Sequence, residues 1–128
     1  MYVRDITESL LMIILQWTGM NISYEEFKRL DVRVGVIISA ESIKGKNKIM
    51  KAIVDVGNEK RELMVGGAEY YRPEDMVGRK VVVLVNLEPR RIAGIVSQGM
   101  LLAADVDGKP YWLTVADPDD VPAGSKIL

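Results

Sequence analysis

The sequence predicts a mainly β domain, a five-stranded Greek-key barrel left partly open, preceded by a helical extension. Three observations carry that prediction. Runs rich in β-branched residues recur from Val32 to Leu113 at strand length, two pairs of them separated by the turn dipeptides Gly57-Asn58 and Asp107-Gly108. A single short helical signal, Pro73-Glu74-Asp75-Met76 with proline at its first position, falls between the third and fourth runs. One small helix set between strands three and four is the element order of an OB-fold, and a plain β-sandwich is the competing assignment.

Composition bounds the chemistry. The chain has 128 residues, 48% of them apolar and 27% charged, which suits one globular domain with terminal additions. It contains no Cys and no His. Disulfides, thiolate nucleophiles, imidazole bases and Cys or His metal ligands are therefore excluded. Carboxylate, Lys or Tyr chemistry would need a visible constellation, and no acid, base and nucleophile occur together. Asp117, Asp119 and Asp120 lack the glycine and terminal glutamate of an EF-hand loop, and Gly66-Gly67 is not followed by the Lys-Ser or Lys-Thr of a phosphate loop. No catalytic residue, metal ligand or cofactor is expected. The net charge of -1 argues against a polyanionic partner at first sight, but the charge is segregated. Residues 28–91 carry 14 Lys and Arg against 9 Asp and Glu, and the remainder carries 3 against 9.

Taken in order, Ile6, Leu10, Ile13, Ile14 and Trp17 form one helical stripe between Asp5 and Thr18, and Gly19 stops it. Leu11, Met12 and Leu15 lie off that stripe, so the helix is apolar over most of its circumference. It either sinks into a groove of its own domain or is shared with a second subunit, and the second reading is favoured. Leu10, Leu11, Ile14, Leu15 and Trp17 are its candidate dimer contacts. The run from Leu10 to Leu15 is too short to span a bilayer, Asp5 and Glu8 precede it, and no small-residue cleavage pattern follows. A cytoplasmic protein without a membrane partner is expected.

Ser23-Tyr24-Glu25-Glu26 has capping-box spacing and predicts a short helix through Phe27 and Leu30. The period then changes to two. Val32 to Ile43 reads as a long first strand, Lys44 to Lys48 as a loop, residues 49–56 as the second strand and Arg61 to Gly67 as the third. Val81 to Val85 is an uninterrupted apolar run, as in a central strand covered on both sides. Met100 to Ala104 makes a fifth strand, and Tyr111-Trp112-Leu113 returns as a hairpin arm. The tail, with Pro118, Pro122 and Gly124, reads as mostly irregular. The boundaries are thus 1–21 for the helical extension and 22–128 for the barrel.

Two basic groups stand out. Lys44, Lys46, Lys48 and Lys51 fall within eight residues that hold no acid, in the loop joining the first two strands, where OB-folds usually take oligonucleotides. Arg33 on the first strand could extend the patch. Arg90 and Arg91 follow Asn86-Leu87-Glu88-Pro89 in the other ligand loop. Their planar guanidinium groups suit phosphate oxygens, Asn86, Ser97 and Gln98 can hydrogen-bond sugars or bases, and Met100 offers a polarizable thioether. Each group also has an ordinary reading as solvated surface or core. Tyr70, Tyr71 and Tyr111 lie away from these loops in the sequence, which weighs against a stacking-based single-strand binder.

Leu30-Asp31-Val32-Arg33-Val34-Gly35, Lys48-Ile49-Met50-Lys51, the stretch from Tyr71 to Val83, Asn86 to Arg91 and Ser97 to Ala104 occur in one order. Together they resemble the tRNA-binding domain appended to methionyl-tRNA synthetases and found as free-standing tRNA-binding proteins. The resemblance runs from about Ile22 to Leu128. It implies an OB-fold that binds tRNA by shape, as a homodimer, with a methionyl-tRNA synthetase as the candidate partner it assists in trans. By motif it assigns Ser97, Met100, Asn86 and the loop from Lys44 to Lys51 to RNA contact, beside Arg33, Arg90, Arg91 and Gln98 from the residue reading. A related branch of secretion-associated, peptide-binding chaperones shares the Arg-Val-Gly strand and the Pro-Arg-Arg loop but usually lacks Gly-Met-Leu-Leu-Ala-Ala, which is present here as Gly99 to Ala104.

Overall fold

The computed structural model describes residues 20–128. The expected helix over Asp5–Thr18, with Leu10, Leu11, Ile14, Leu15 and Trp17, lies outside the described residues. The chain divides into two compact units, 1–30 and 31–128. In the first, α1 (Tyr24–Lys28) carries the anticipated capping box: the Ser23 hydroxyl accepts from the Glu26 amide at 3.1 Å, and the Glu26 carboxylate accepts from the Ser23 amide. No helix among the described residues is long and apolar enough to cross a membrane.

The second unit is mainly β. Its strands are β1 (Val32–Ile43), β2 (Lys46–Asp55), β3 (Lys60–Gly66), β4 (Lys80–Leu84), β5 (Arg90–Ile92), β6 (Ile95–Ser97), β7 (Met100–Leu101), β8 (Ala103–Val106) and β9 (Lys109–Trp112). The short helix α2 (Pro73–Met76) sits between β3 and β4, as the sequence predicts. Five strands form one antiparallel sheet in the order β3-β2-β1-β4-β7, and β5-β6 and β8-β9 are separate hairpins. Strand alternation puts Met50, Ala52 and Val54 of β2, Leu63 and Val65 of β3 and Val81 and Val83 of β4 into one buried core. Met76 of α2 plugs its end and is fully buried.

On β1 the inward positions are Gly35 and Ile37, since a Cβ at Gly35 would meet Val54 Cγ1 at 2.6 Å. Val34, Val36 and Ile38 alternate with them on the opposite face, where Val34 is buried, Val36 half-buried and Ile38 exposed, and a register shift falls between Ile37 and Ser39. Val32, Val34 and Val82 are buried as well, so β1 and β4 are covered on both sides where they pair. Beside that stretch of β1 runs the tail. The Val34 amide donates to Ser125 O, and the Gly124 and Ile127 amides donate to Val34 O and Val32 O, at 2.7–2.8 Å. The tail is mostly irregular, as expected, with a 3-10 turn at Pro118–Asp120 and a single bridge between Lys126 and Arg33, but its backbone satisfies this edge of β1.

The two ends of the five-stranded sheet, β3 and β7, meet through the segment just before β7. The Gln98 amide donates to Glu62 O at 2.9 Å, the Glu62 amide donates to Gln98 Oε1 at 3.1 Å, and the Met64 amide donates to Ser97 Oγ at 3.1 Å. The edge of β3 is satisfied by this loop in place of a full partner strand, which gives an OB-like barrel with one loosely sealed seam. Gly99 makes the seam possible. Its φ is +139°, and a Cβ there would stand 2.9 Å from Leu84 O.

Candidate nucleic-acid interface

The basic residues of the β1–β2 connection do not occupy a long loop. Lys44 and Gly45 form a two-residue turn with Gly45 at φ +79°, and β2 begins at Lys46. Lys46 and Lys48 are therefore strand residues on a projecting hairpin, held at fixed spacing by the pairing of the two strands. Lys44, Lys46 and Lys48 are exposed and form no ion pair among the described residues. Lys51 differs. Glu41 stands opposite it in the β1–β2 register, and the two are joined at 2.7 Å. The hydrogen bond and charge of Glu41 raise the Lys51 pKa. An acid-free stretch of sequence thus receives its acid from the neighbouring strand.

Arg33 is also engaged. It forms a bidentate pair with Asp31, Nε to Oδ1 at 2.9 Å and Nη2 to Oδ2 at 2.8 Å, and its Nη1 donates to Asn58 Oδ1 at 3.2 Å. The hydrogen bond from Arg33 holds the Asp31 carboxyl below its ordinary value, and Asp31 in turn raises Arg33. Asn86 Oδ1 accepts from the Asp31 amide at 2.9 Å, tying the start of β1 to the end of β4.

Arg90 and Arg91 lie on β5, in a β5–β6 hairpin where the sequence predicts a loop. Its turn is Ala93-Gly94, at φ 53° and 80°, a left-handed pair suited to a tight hairpin. Both arginines are exposed, and strand alternation sends them to opposite faces. Arg91 Nη1 donates to Gly94 O at 3.2 Å. Arg90 lines a cavity of about 180 Å³ together with Met64, Ile92, Met100 and Trp112. Met100 is 40% exposed, so its thioether lies at the surface rather than in the core.

Ser97 and Gln98 sit at the seam. Ser97 is buried, and its hydroxyl donates to Gly99 O at 3.1 Å while accepting from the Met64 amide. The Gln98 carboxamide oxygen is occupied by the Glu62 amide. These two side chains hold the cavity wall in place; Arg90 and Met100 face the cavity itself. Gly66, another wall residue, pairs with Ile49 across β2–β3, so the cavity begins one strand away from Lys48.

Two contributors escape a reading of the sequence. Trp112 lines the cavity, packs against Tyr71 with ring centroids 4.3 Å apart, and carries the Arg79 guanidinium 5.5 Å above its ring. Its indole nitrogen is buried without a partner among the described residues. Arg61 donates from Nη1 to both Val85 O at 2.7 Å and Gln98 O at 3.1 Å, and pairs with Glu59 through Nε and Nη2. Val85 and Gln98 bracket the excursion that carries Arg90 and Arg91, so one guanidinium fastens both of its ends. Only the spacing of these groups in three dimensions reveals the role.

Residues 32–126 match the family model described as "Putative tRNA binding domain". The methionine–tRNA ligase of Methanothrix thermoacetophila is 51% identical over 107 residues, covering 83% of this chain and 15% of the ligase. That of Methanocaldococcus jannaschii is 44% identical over 108 residues, covering 84% of this chain and 16% of the ligase. The chain therefore spans about a sixth of the length of these relatives. Among solved structures, a MetRS-related protein from Pyrococcus horikoshii superposes with a TM-score of 0.78 at 38% identity, covering 84% of this chain and 98% of that one. The chaperone CsaA of Bacillus anthracis superposes with a TM-score of 0.75 at 27% identity, covering 84% and 99%.

Proposed function

Because the chain belongs to the tRNA-binding domain family, we propose that it acts as a non-catalytic module that grips folded tRNA and assists a methionyl-tRNA synthetase in trans. The observation that carries the reading is the β1–β2 hairpin, whose Lys44, Lys46 and Lys48 have no ion pair among the described residues and which at Lys48 lies one strand away from a cavity faced by Arg90 and Met100. Unpaired ammonium groups at fixed spacing meet phosphates of a rigid RNA backbone at little ordering cost, and counterion release supplies the free energy. Arg90 then acts as a planar phosphate donor, and Met100 with Trp112 offers an apolar, polarizable contact to a base or ribose. Arg33 and Lys51, already paired with Asp31 and Glu41, contribute less. Asn86, Ser97 and Gln98 act mainly by holding the loops.

Titration of the full chain against folded bulk tRNA, heat-unfolded tRNA and an unstructured oligonucleotide at two salt concentrations tests this. Folded tRNA should be preferred, and about three to four phosphate contacts should weaken binding on the order of 100-fold between 50 and 200 mM salt. Lys46→Glu with Lys48→Glu should abolish that binding with the fold intact; undiminished binding would refute the assignment of the hairpin.

A second reading is favoured by the cavity itself, whose wall is mostly apolar: Met64, Leu87, Ile92, Met100, Leu101 and Trp112. A peptide-binding chaperone would use it without the lysines, and its binding would be insensitive to salt. Homodimerisation through Leu10, Leu11, Ile14, Leu15 and Trp17 accompanies either reading. Leu11→Asp with Ile14→Asp should give monomers or insoluble protein, and an unchanged dimer would exclude that helix as the contact.

A further inference from the structure

Between the lysine hairpin and the Arg90 cavity lies a cluster that sequence order disperses. Lys48 O accepts from the amides of Gly67 and Ala68 at 3.0 and 3.3 Å, which anchors the turn 67–71 against the hairpin. The Tyr70 and Tyr71 amides both donate to Gly67 O at 2.9 Å. Tyr71 reaches β9 by donating its hydroxyl to Pro110 O at 2.8 Å, and Pro110 is itself part of the cavity wall. The tyrosines are thus brought beside the basic hairpin, contrary to their separation in the sequence.

Lys109 occupies the centre of the cluster. Its ammonium stands 5.0 Å from the Tyr111 ring centroid and 5.6 Å from those of Tyr70 and Tyr71, and it forms no ion pair among the described residues. Cation–π attraction from three rings restrains the side chain without neutralising its charge. Tyr70 and Tyr111 remain 47% and 45% exposed, so each offers ring surface to solvent on either side of that charge. Of the acids adjacent in sequence, Asp105 accepts from the Gly108 amide at 3.0 Å, and Asp107 in the β8–β9 turn and Glu69 before Tyr70 form no ion pair with Lys109. Half-exposed aromatic rings flanking an unpaired cation, set between two other basic groups, complement a nucleotide: a π-face for the base and a charge for its phosphate.

Resting on the tRNA reading above, we propose that Tyr70, Tyr111 and Lys109 form a stacking subsite for an unpaired base of the bound RNA. It is continuous with Lys48 on one side and the Arg90–Trp112 cavity on the other. The subsite gives the interface a way to sense exposed bases in a folded RNA loop, which phosphate contacts alone do not supply.

The test uses the full chain and folded bulk tRNA, with Tyr70→Leu, Tyr111→Leu, the two Tyr→Phe variants, Lys109→Met and the Lys46→Glu, Lys48→Glu pair. Leucine keeps apolar bulk and removes the ring; phenylalanine keeps the ring. Each Tyr→Leu variant should weaken binding about tenfold with an unchanged salt slope, and each Tyr→Phe variant should bind within about twofold of the parent. Lys109→Met should reduce the salt slope by about 1. If the parent binds and the hairpin variant does not, while all Tyr→Leu variants bind like the parent, the subsite is refuted and the tRNA reading stands. If the parent binds no folded tRNA, both fall. A Tyr→Leu variant whose mass by light scattering drops to the monomer while the monomer retains parental tRNA affinity would assign these rings to a second copy of the chain and overturn the subsite.

Discussion

Arg61→Met isolates the contribution of one guanidinium to the shape of the proposed binding surface. The substitution keeps most of the aliphatic stem and removes the donors to Val85 O and Gln98 O, at 2.7 and 3.1 Å, along with the pair to Glu59. A hydrogen bond from a charged donor contributes about 1.5–3 kcal/mol net where it is well buried. Arg61 retains 27% side-chain exposure and shares one nitrogen between both carbonyls, so the two bonds together should be worth about 2 kcal/mol. The half-exposed Glu59 pair adds no more than about 0.5 kcal/mol. Urea unfolding followed by tryptophan fluorescence should show a loss of about 2 kcal/mol with an unchanged m-value. Arg61→Lys, reaching one carbonyl, should fall between. The local consequence is the sharper one: amide exchange at Gln98, whose N–H is bonded to Glu62 O across the seam, should accelerate by more than that of β2 amides. A loss below about 0.5 kcal/mol, or uniform acceleration across the barrel, would refute the role of Arg61 as a clasp.

Gly99→Ala should cost on the order of 2–4 kcal/mol, because it joins a φ of +139° to a 2.9 Å approach of the new Cβ to Leu84 O; thermal unfolding measures it, and a neutral result would mean that the seam adjusts. Asp31 has a folded-state pKa below the ordinary 3.8, first through its hydrogen bond from Arg33, so its stabilisation is present above about pH 4 and is lost as the pH falls through the lowered value. The parent should therefore exceed Asp31→Asn in urea midpoint at pH 7, with the gap closing below pH 3.8; a gap that persists there would place the effect outside this ion pair. Lys51→Met should reduce tRNA affinity less than Lys48→Met, since Lys51 is already joined to Glu41 at 2.7 Å; equal losses in a binding titration would show that RNA displaces Glu41.

The fold was largely legible because the signals that define it are local. Capping-box spacing, two-residue turns at Gly57-Asn58 and Asp107-Gly108, a proline-initiated α2 and the Val81–Val85 run each declare themselves within a few residues. What escaped is nonlocal or very short. The β5–β6 hairpin has three-residue arms and turns on Ala93-Gly94, which is not a strong turn dipeptide, and the tail joins β1 through backbone bonds that any sequence can make. The same division holds at the site. Lys44, Lys46, Lys48 and Arg90 are identifiable as basic residues flanking turns, whereas Met100, at the start of a strand, reads as readily as core and only the fold shows it 40% exposed. Sequence cannot tell that Glu41 faces Lys51, that Asp31 grips Arg33, or that Ser97 spends its hydroxyl on the seam, because each depends on register between strands.

That register also resolves the conflict between a net charge of -1 and a polyanionic partner. At physiological ionic strength charges act over about 8 Å, so the sum over the chain matters less than what remains unpaired near the ligand. In the unit from Asp31 onward, Asp31, Glu41, Glu59, Glu74 and Asp75 each sit within ion-pair distance of one arginine or lysine. These acids cancel Arg33, Lys51, Arg61 and Arg72, whose donors already serve the fold. Lys44, Lys46, Lys48 and Lys109 have no ion pair among the described residues. The unit from Asp31 onward carries as many acids as bases, so its positive field is a local property of the hairpin at Lys44, Lys46 and Lys48, a stretch without an acid, and not of the chain as a whole. Such a surface binds a polyanion with the salt dependence of about three to four phosphate contacts, and the fixed spacing of the strand lysines favours a rigid, folded RNA.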